Sequence, residues 1–126
     1  MKDSKLIDPS VWPGYLFNGR FTEVIDSDEI IFLSALSLFE IKKKLMKSRV
    51  ETAKITKSME FIKKRSLIIP VSGDIAKKAV ELSLEKGLPI IDSVIYTTSV
   101  LNNAYLITLD NDFRGLKNAI VLQEIK

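Results

Sequence analysis

Cysteine and histidine are absent from this 126-residue chain. Their absence excludes disulfides, thiolate or imidazole zinc sites, haem held by His or Cys, cysteine nucleophiles and every Ser-His-Asp triad. Glycine (5) and proline (4) are scarce, and no internal repeat, linker or low-complexity tract breaks the chain. Long apolar runs are missing too. The longest weakly charged stretch, Leu88–Leu109, is interrupted by Pro89, Asp92, Asn102 and Asn103, so it reads as buried strand and helix rather than a membrane span. The N-terminus carries acidic residues and no apolar core, unlike a signal peptide, and the cytoplasm is the expected compartment. The length fits one domain over residues 1–126, large enough to bury a core without staples. Any chemistry must therefore run on carboxylates, hydroxyls, Lys, Arg, Tyr, amides or a borrowed metal. Carboxylates favour hard cations such as Mg²⁺ or Mn²⁺.

What is present is charge, unevenly spread. The formal net charge is +3, from 19 Lys+Arg and 16 Asp+Glu. Residues 41–65 hold ten basic and two acidic residues, a net +8, which leaves −5 on the rest of the chain. A basic block on an acidic body suggests a polyanionic partner. The plain alternative is a solvated, lysine-rich helix face.

Short apolar runs alternate with longer amphipathic ones, the pattern of an α/β protein. Strands are expected at Lys5–Ile7, Ile30–Leu33, Leu67–Ile69, Tyr105–Thr108 and Ala119–Leu122. Helices are expected after a capping box at Ser37 and Glu40 and running through Lys47, then over Glu51–Lys64, Asp74–Lys86 and Asp92–Asn102, with Gly87 as a left-handed stop. A short helix is expected around Phe21–Asp26, whereas Pro13 and Gly14 weaken any helix within Pro9–Arg20. Strands without alternation, separated by helices, imply a mostly parallel sheet of four to five short strands covered on both faces, a three-layer α/β/α arrangement.

Open parallel sheets bind ligands beyond the carboxyl ends of their strands. Asp8 follows the first strand, Glu40 is expected in the first turn of the helix after the second, Asp92 opens a later helix, and Asp110 and Asp112 follow the strand ending at Thr108. Each has a bland reading: a turn at Asp8-Pro9, a capping partner at Glu40, an N-cap at Asp92, a turn at Asp110-Asn111-Asp112. Their coincidence at one sheet edge carries the argument. Carboxylates so close repel one another, and a divalent cation neutralises them.

The same segments resemble the PIN-domain family, in particular the VapC-like toxin ribonucleases of VapBC toxin–antitoxin pairs. The matching pieces are Leu6-Ile7-Asp8-Pro9-Ser10-Val11-Trp12, then Ser34-Ala35-Leu36-Ser37-Leu38-Phe39-Glu40-Ile41, then Gly87-Leu88-Pro89-Ile90-Ile91-Asp92-Ser93-Val94-Ile95-Tyr96, and last Leu106-Ile107-Thr108-Leu109-Asp110-Asn111-Asp112-Phe113. The family usually has Thr after the first Asp, where this chain has Pro9, lacking both hydroxyl and N–H. The resemblance implies a PIN-like fold and Mg²⁺- or Mn²⁺-dependent hydrolysis of RNA phosphodiesters. It implies Asp8, Glu40, Asp92 and Asp110 as catalytic metal ligands, Asp112 as a further ligand, and Ser10 and Thr108 as supports. It further implies a homodimer and a cognate antitoxin as partners. Lys43, Lys47, Lys64 and Arg65 are the expected contacts to RNA phosphates, Trp12 and Tyr15 the candidate base-stacking rings, with core packing the favoured reading of Trp12, and Phe17, Phe21 and Leu45 the candidate apolar interface. A PIN fold serving as an RNA-binding or protein-interaction module with little catalysis is the alternative. The Asp that a receiver domain needs after its third strand is missing from this chain, where Pro70-Val71-Ser72 follows, and Asp8-Pro9-Ser10 lacks the second Asp that a haloacid-dehalogenase-type phosphatase needs.

Overall fold

The apolar runs become five strands; the inner three bury side chains on both faces, while Leu67 and Ile120 on the edge strands stay exposed. The computed structural model describes residues 4–123; the ends of the expected domain, 1–3 and 124–126, lie outside it. In chain order the elements are β1 (Ser4–Ile7), α1 (Trp12–Asn18), α2 (Thr22–Ile25), β2 (Ile30–Ser34), α3 (Ala35–Lys47), α4 (Thr52–Arg65), β3 (Leu67–Ile69), α5 (Gly73–Lys86), α6 (Ile90–Leu101), β4 (Tyr105–Thr108), a 3₁₀ turn (Asn111–Phe113) and β5 (Ala119–Val121). The sheet order is β3-β2-β1-β4-β5 and every pairing is parallel. The central strand β1 places Leu6 against Phe32 on one side and Leu106 on the other.

Side chains alternate across a strand, so neighbours on β1 and β4 serve opposite faces. Ile7 and Ile107 join Val11, Trp12, Ile31, Leu33, Ile41, Leu45 and Ile62 in one core layer. Leu6 and Leu106 join Leu88, Ile95, Tyr96 and Phe113 in the other. The expected three-layer α/β/α fold is therefore present, with the sheet wholly parallel. Trp12 is fully buried and Leu45 is 2% exposed. Core packing, the favoured reading of Trp12, is what the structure shows, whereas the burial of Leu45 corrects its place in an exposed interface; Phe17 and Phe21 also pack against the core.

Three local details differ from expectation. Helix α3 starts at Ala35, because Ser34 rather than Ser37 caps it, accepting from the Leu36 N–H at 3.3 Å. Glu40 is thereby moved from the first turn to the second. Helix α1 forms in spite of Pro13, which sits in its first turn where the missing N–H has no intrahelical partner to lose. Gly14 is needed there, since a Cβ would lie 2.7 Å from the Phe21 ring. Helix α6 begins at Ile90, so Asp92 lies within its first turn and is not its N-cap.

Candidate active site

The carboxyl ends of β1, β2 and β4 open on one side of the sheet, and α6 begins there. A cavity of about 480 Å³ lies at that edge, lined by Asp8, Glu40, Asp92 and Asp110, with Pro9, Ser10 and Ile95, and walled by Lys43, Lys44, Lys47 and Ser48 of α3 and the turn after it. Four chain segments thus deliver carboxylates to a single space. Asp92, Asp110 and Asp112 come closest, each offering an oxygen within 4.8 Å of the others. Asp8 and Glu40 line the same cavity beyond that trio.

Hydrogen bonds fix the floor. The Asp8 N–H donates to the Ile107 carbonyl at 2.9 Å, tying the exit of β1 to β4. The Ser10 N–H donates to Asp8 Oδ2 at 3.1 Å. This cap comes from residue 10, so the missing N–H of Pro9 takes nothing from Asp8. The Ser10 hydroxyl accepts from the Leu109 N–H at 3.0 Å and lies 3.4 Å from the Thr108 hydroxyl. Thr108 Oγ1 accepts from the Asp110 N–H at 3.0 Å. Asp110 Oδ1 accepts from the Asp112 N–H at 2.9 Å, capping the 3₁₀ turn. Ser10 and Thr108 therefore position the loops that carry Asp8 and Asp110.

Burial and mutual repulsion both act on the cluster. Burial pushes the Asp8 carboxyl above the usual carboxylate range, hydrogen bonding to Ser10 and Thr108 opposes that, and Asp110 adds repulsion. Asp92 is raised to about 6, first by burial and then by the charges of Asp110, Asp8, Asp112 and Glu40. An all-oxygen, all-anionic donor set whose members repel one another fits a hard divalent cation and suits soft or redox metals poorly.

The expected cationic residues divide. Lys43 and Lys47 line the cavity, and so does Lys44, which the sequence reading passed over. A signal for it exists, because Lys44 lies four residues after Glu40, on the same helical face. Lys64 is exposed on α4 and does not line the cavity. Arg65 is anchored elsewhere: Nε donates to the Ile25 carbonyl at 2.7 Å, and Nη2 to those of Ser27 and Glu29 at 2.9 and 3.1 Å. Tyr15 stacks on Phe61 with centroids 5.8 Å apart and donates to Asp26, away from the cavity.

The PIN domain family model matches residues 5–119. A toxin–antitoxin complex from Klebsiella pneumoniae contains a chain 25% identical to this one, with TM-score 0.80 and coverage of 96% of this chain and 99% of that one. VapBC2 from Rickettsia felis, bound to a DNA fragment from its promoter, is 20% identical over 94% and 97% of the two chains, with TM-score 0.73. VapC20 from Mycobacterium tuberculosis, a toxin that cleaves the sarcin-ricin loop, is 14% identical over 90% and 95%, with TM-score 0.69. No curated protein shows significant sequence similarity.

Proposed function

This chain belongs to the PIN domain family, and we propose that it is a Mg²⁺- or Mn²⁺-dependent ribonuclease, the toxin of a VapBC-type pair. The observation that carries the proposal is the convergence of Asp8, Glu40, Asp92 and Asp110 on one cavity walled by lysines. A bound divalent cation supplies a nucleophile from water near neutral pH and shields charge developing at phosphorus. Asp8, Asp92 and Asp110 are the proposed ligands, with Asp112 beside them and Glu40 positioned to orient the attacking water. With no histidine in the chain, carboxylates are the groups left to hold or pass protons. Ser10 and Thr108 hold the Asp8 and Asp110 loops in place. Lys43, Lys44 and Lys47 contact backbone phosphates, fixing the strand without reading its sequence. Lys64 and Arg65 are left outside this set by their placement.

The likeness to chains solved within a toxin–antitoxin complex and within VapBC2 supports an antitoxin partner. Val80, Leu84 and Ile90, exposed at 56%, 81% and 77%, border an apolar groove between α5 and α6 and support a homodimer. Among the described residues no helix is long and apolar enough to cross a membrane.

The test is cleavage of RNA with Mn²⁺ or Mg²⁺ by the parent, Asp8→Asn and Asp92→Asn. Each substitution should lower the rate by roughly a hundredfold or more, the scale seen when a preorganised electrostatic group is removed. Variants that cleave as well as the parent would remove the basis for the acidic site. RNA binding without cleavage by the parent would favour a binding module instead.

A further inference from the structure

Phe39 has no structural reason to be where it is. Its side chain is 59% exposed, one residue before Glu40, and it belongs to none of the apolar clusters. The buried residues of α3 are Ser37, Ile41 and Leu45. At ~100° per residue, Phe39 lies ~160° from Ile41, almost on the opposite face. Its neighbour is a cation. The Lys43 ammonium lies 5.7 Å from the centroid of the Phe39 ring, and Lys43 also lines the carboxylate cavity. The two side chains, four residues apart, form one row along the helix, with the ammonium in the cavity wall and the ring beside it, outside the lining.

We infer that Phe39 is a stacking platform for an unpaired nucleobase adjoining the phosphate held in the cavity, and that Lys43 serves both, flanking the ring and contacting the strand's backbone. The inference rests on the ribonuclease reading above. An aromatic face beside a cationic track is the arrangement that holds single strands without sequence preference, because every base has a π-face. The chemistry selects single-stranded or looped RNA over duplex, since a paired base cannot leave its stack to reach the ring. This role falls to Phe39 because Trp12 is buried and Tyr15 is already stacked on Phe61.

The test uses the full chain with Mn²⁺ and a short unstructured RNA oligonucleotide, alone and annealed to its complement. Phe39→Ala should raise KM for the single strand roughly tenfold, the scale of one base–aromatic stack, with kcat within about twofold. Phe39→Trp should restore or improve KM, whereas Phe39→Leu, apolar but without a π-face, should not. Replacing one base at a time by an abasic site should reveal a position where parent and Phe39→Ala become equal. Equal KM for parent and Phe39→Ala, or full rescue by leucine, overturns the inference. So does a KM defect that disappears at high protein concentration together with a change in sedimentation, since the ring would then serve a second copy. The underlying reading fails separately, if Asp92→Asn cleaves as well as the parent.

Discussion

Helices α3 and α4 each carry four lysines and pack against one another, yet their cations meet different surroundings. On α3, Lys43, Lys44 and Lys47 face a cavity full of carboxylates. On α4, Lys54 sits 4.9 Å from the Phe17 ring centroid, Lys64 points to solvent, and Arg65 at the last position ties down the chain between α2 and β2 through three backbone carbonyls. A single run of positive charge in sequence therefore divides between a binding wall and a structural brace. Helical phase decides the division, and charge counting does not see it.

The largest effect expected from probing this division is on stability. Arg65→Ala leaves three carbonyls without their charged donor, and the cost should be about 3 kcal/mol. That corresponds to a Tm lower by about 10 °C in thermal denaturation. RNA cleavage well below the new Tm should be unchanged. A cleavage defect without a stability defect would move Arg65 to the wall and break the contrast.

The converse experiment neutralises the wall. Lys43→Ala, Lys44→Ala and Lys47→Ala together should weaken binding of single-stranded RNA by roughly 30-fold at low salt. The slope of log K against log salt should fall by about 2, at ~0.7 per lost phosphate contact. Tm should barely change, because all three side chains are exposed.

A smaller effect concerns what α3 faces and α4 does not. The Asp92 pKa is raised to about 6 in the folded chain, and Asp8 is raised as well. A carboxyl raised on folding contributes stability that is complete below its unfolded pKa near 4 and is lost as pH rises through the folded value. With a chelator present, Tm should therefore fall by a few degrees between about pH 4.5 and 7. The size is limited by solvent screening, since Asp92 is only half-buried. Asp92→Asn should flatten the decline, and Mn²⁺ should reverse it at the upper end by binding only the folded state. Neutralising Lys54 and Lys57 on α4 should leave the profile as it is. The smallest effect sharpens the contrast from the other side: Lys64→Ala should change RNA affinity by less than about twofold and stability by less than about 0.5 kcal/mol. A larger loss of affinity would extend the wall onto α4.

Much of this fold could be read from sequence because short apolar runs, spaced by amphipathic ones, admit few arrangements. The strand-exit rule then placed Asp8, Glu40, Asp92 and Asp110 together before any coordinates. What escaped was local phase and local competition. Ser34 and Ser37 both offer a cap, and only the sheet register, which pairs Ser34 with Ile69, settles that the strand ends and the helix starts at the first. Lys44 was passed over for Lys43 and Lys47 because the wall faces between them. The fate of Arg65 depended on carbonyls 36 to 40 residues away, in a loop with no periodicity to place it. Trp12 did not escape: a side chain of its size favours the core even beside an acidic motif, and it is fully buried.

The bond from the Leu109 N–H to the Ser10 hydroxyl joins residues 99 positions apart. Its consequence is one of timing. Synthesis runs from the N- to the C-terminus, so Asp8 is made on β1 well before β4, the strand that β1 lies against. Until residues 105–110 have emerged, β1 has no β4 to lie against, and the Asp8 loop has nothing to fasten to. A chain that stops short of residue 105 therefore carries Asp8, Glu40 and Asp92 without an assembled centre. The order of synthesis acts as a safety catch, released only once β4 and the loop after it have been made.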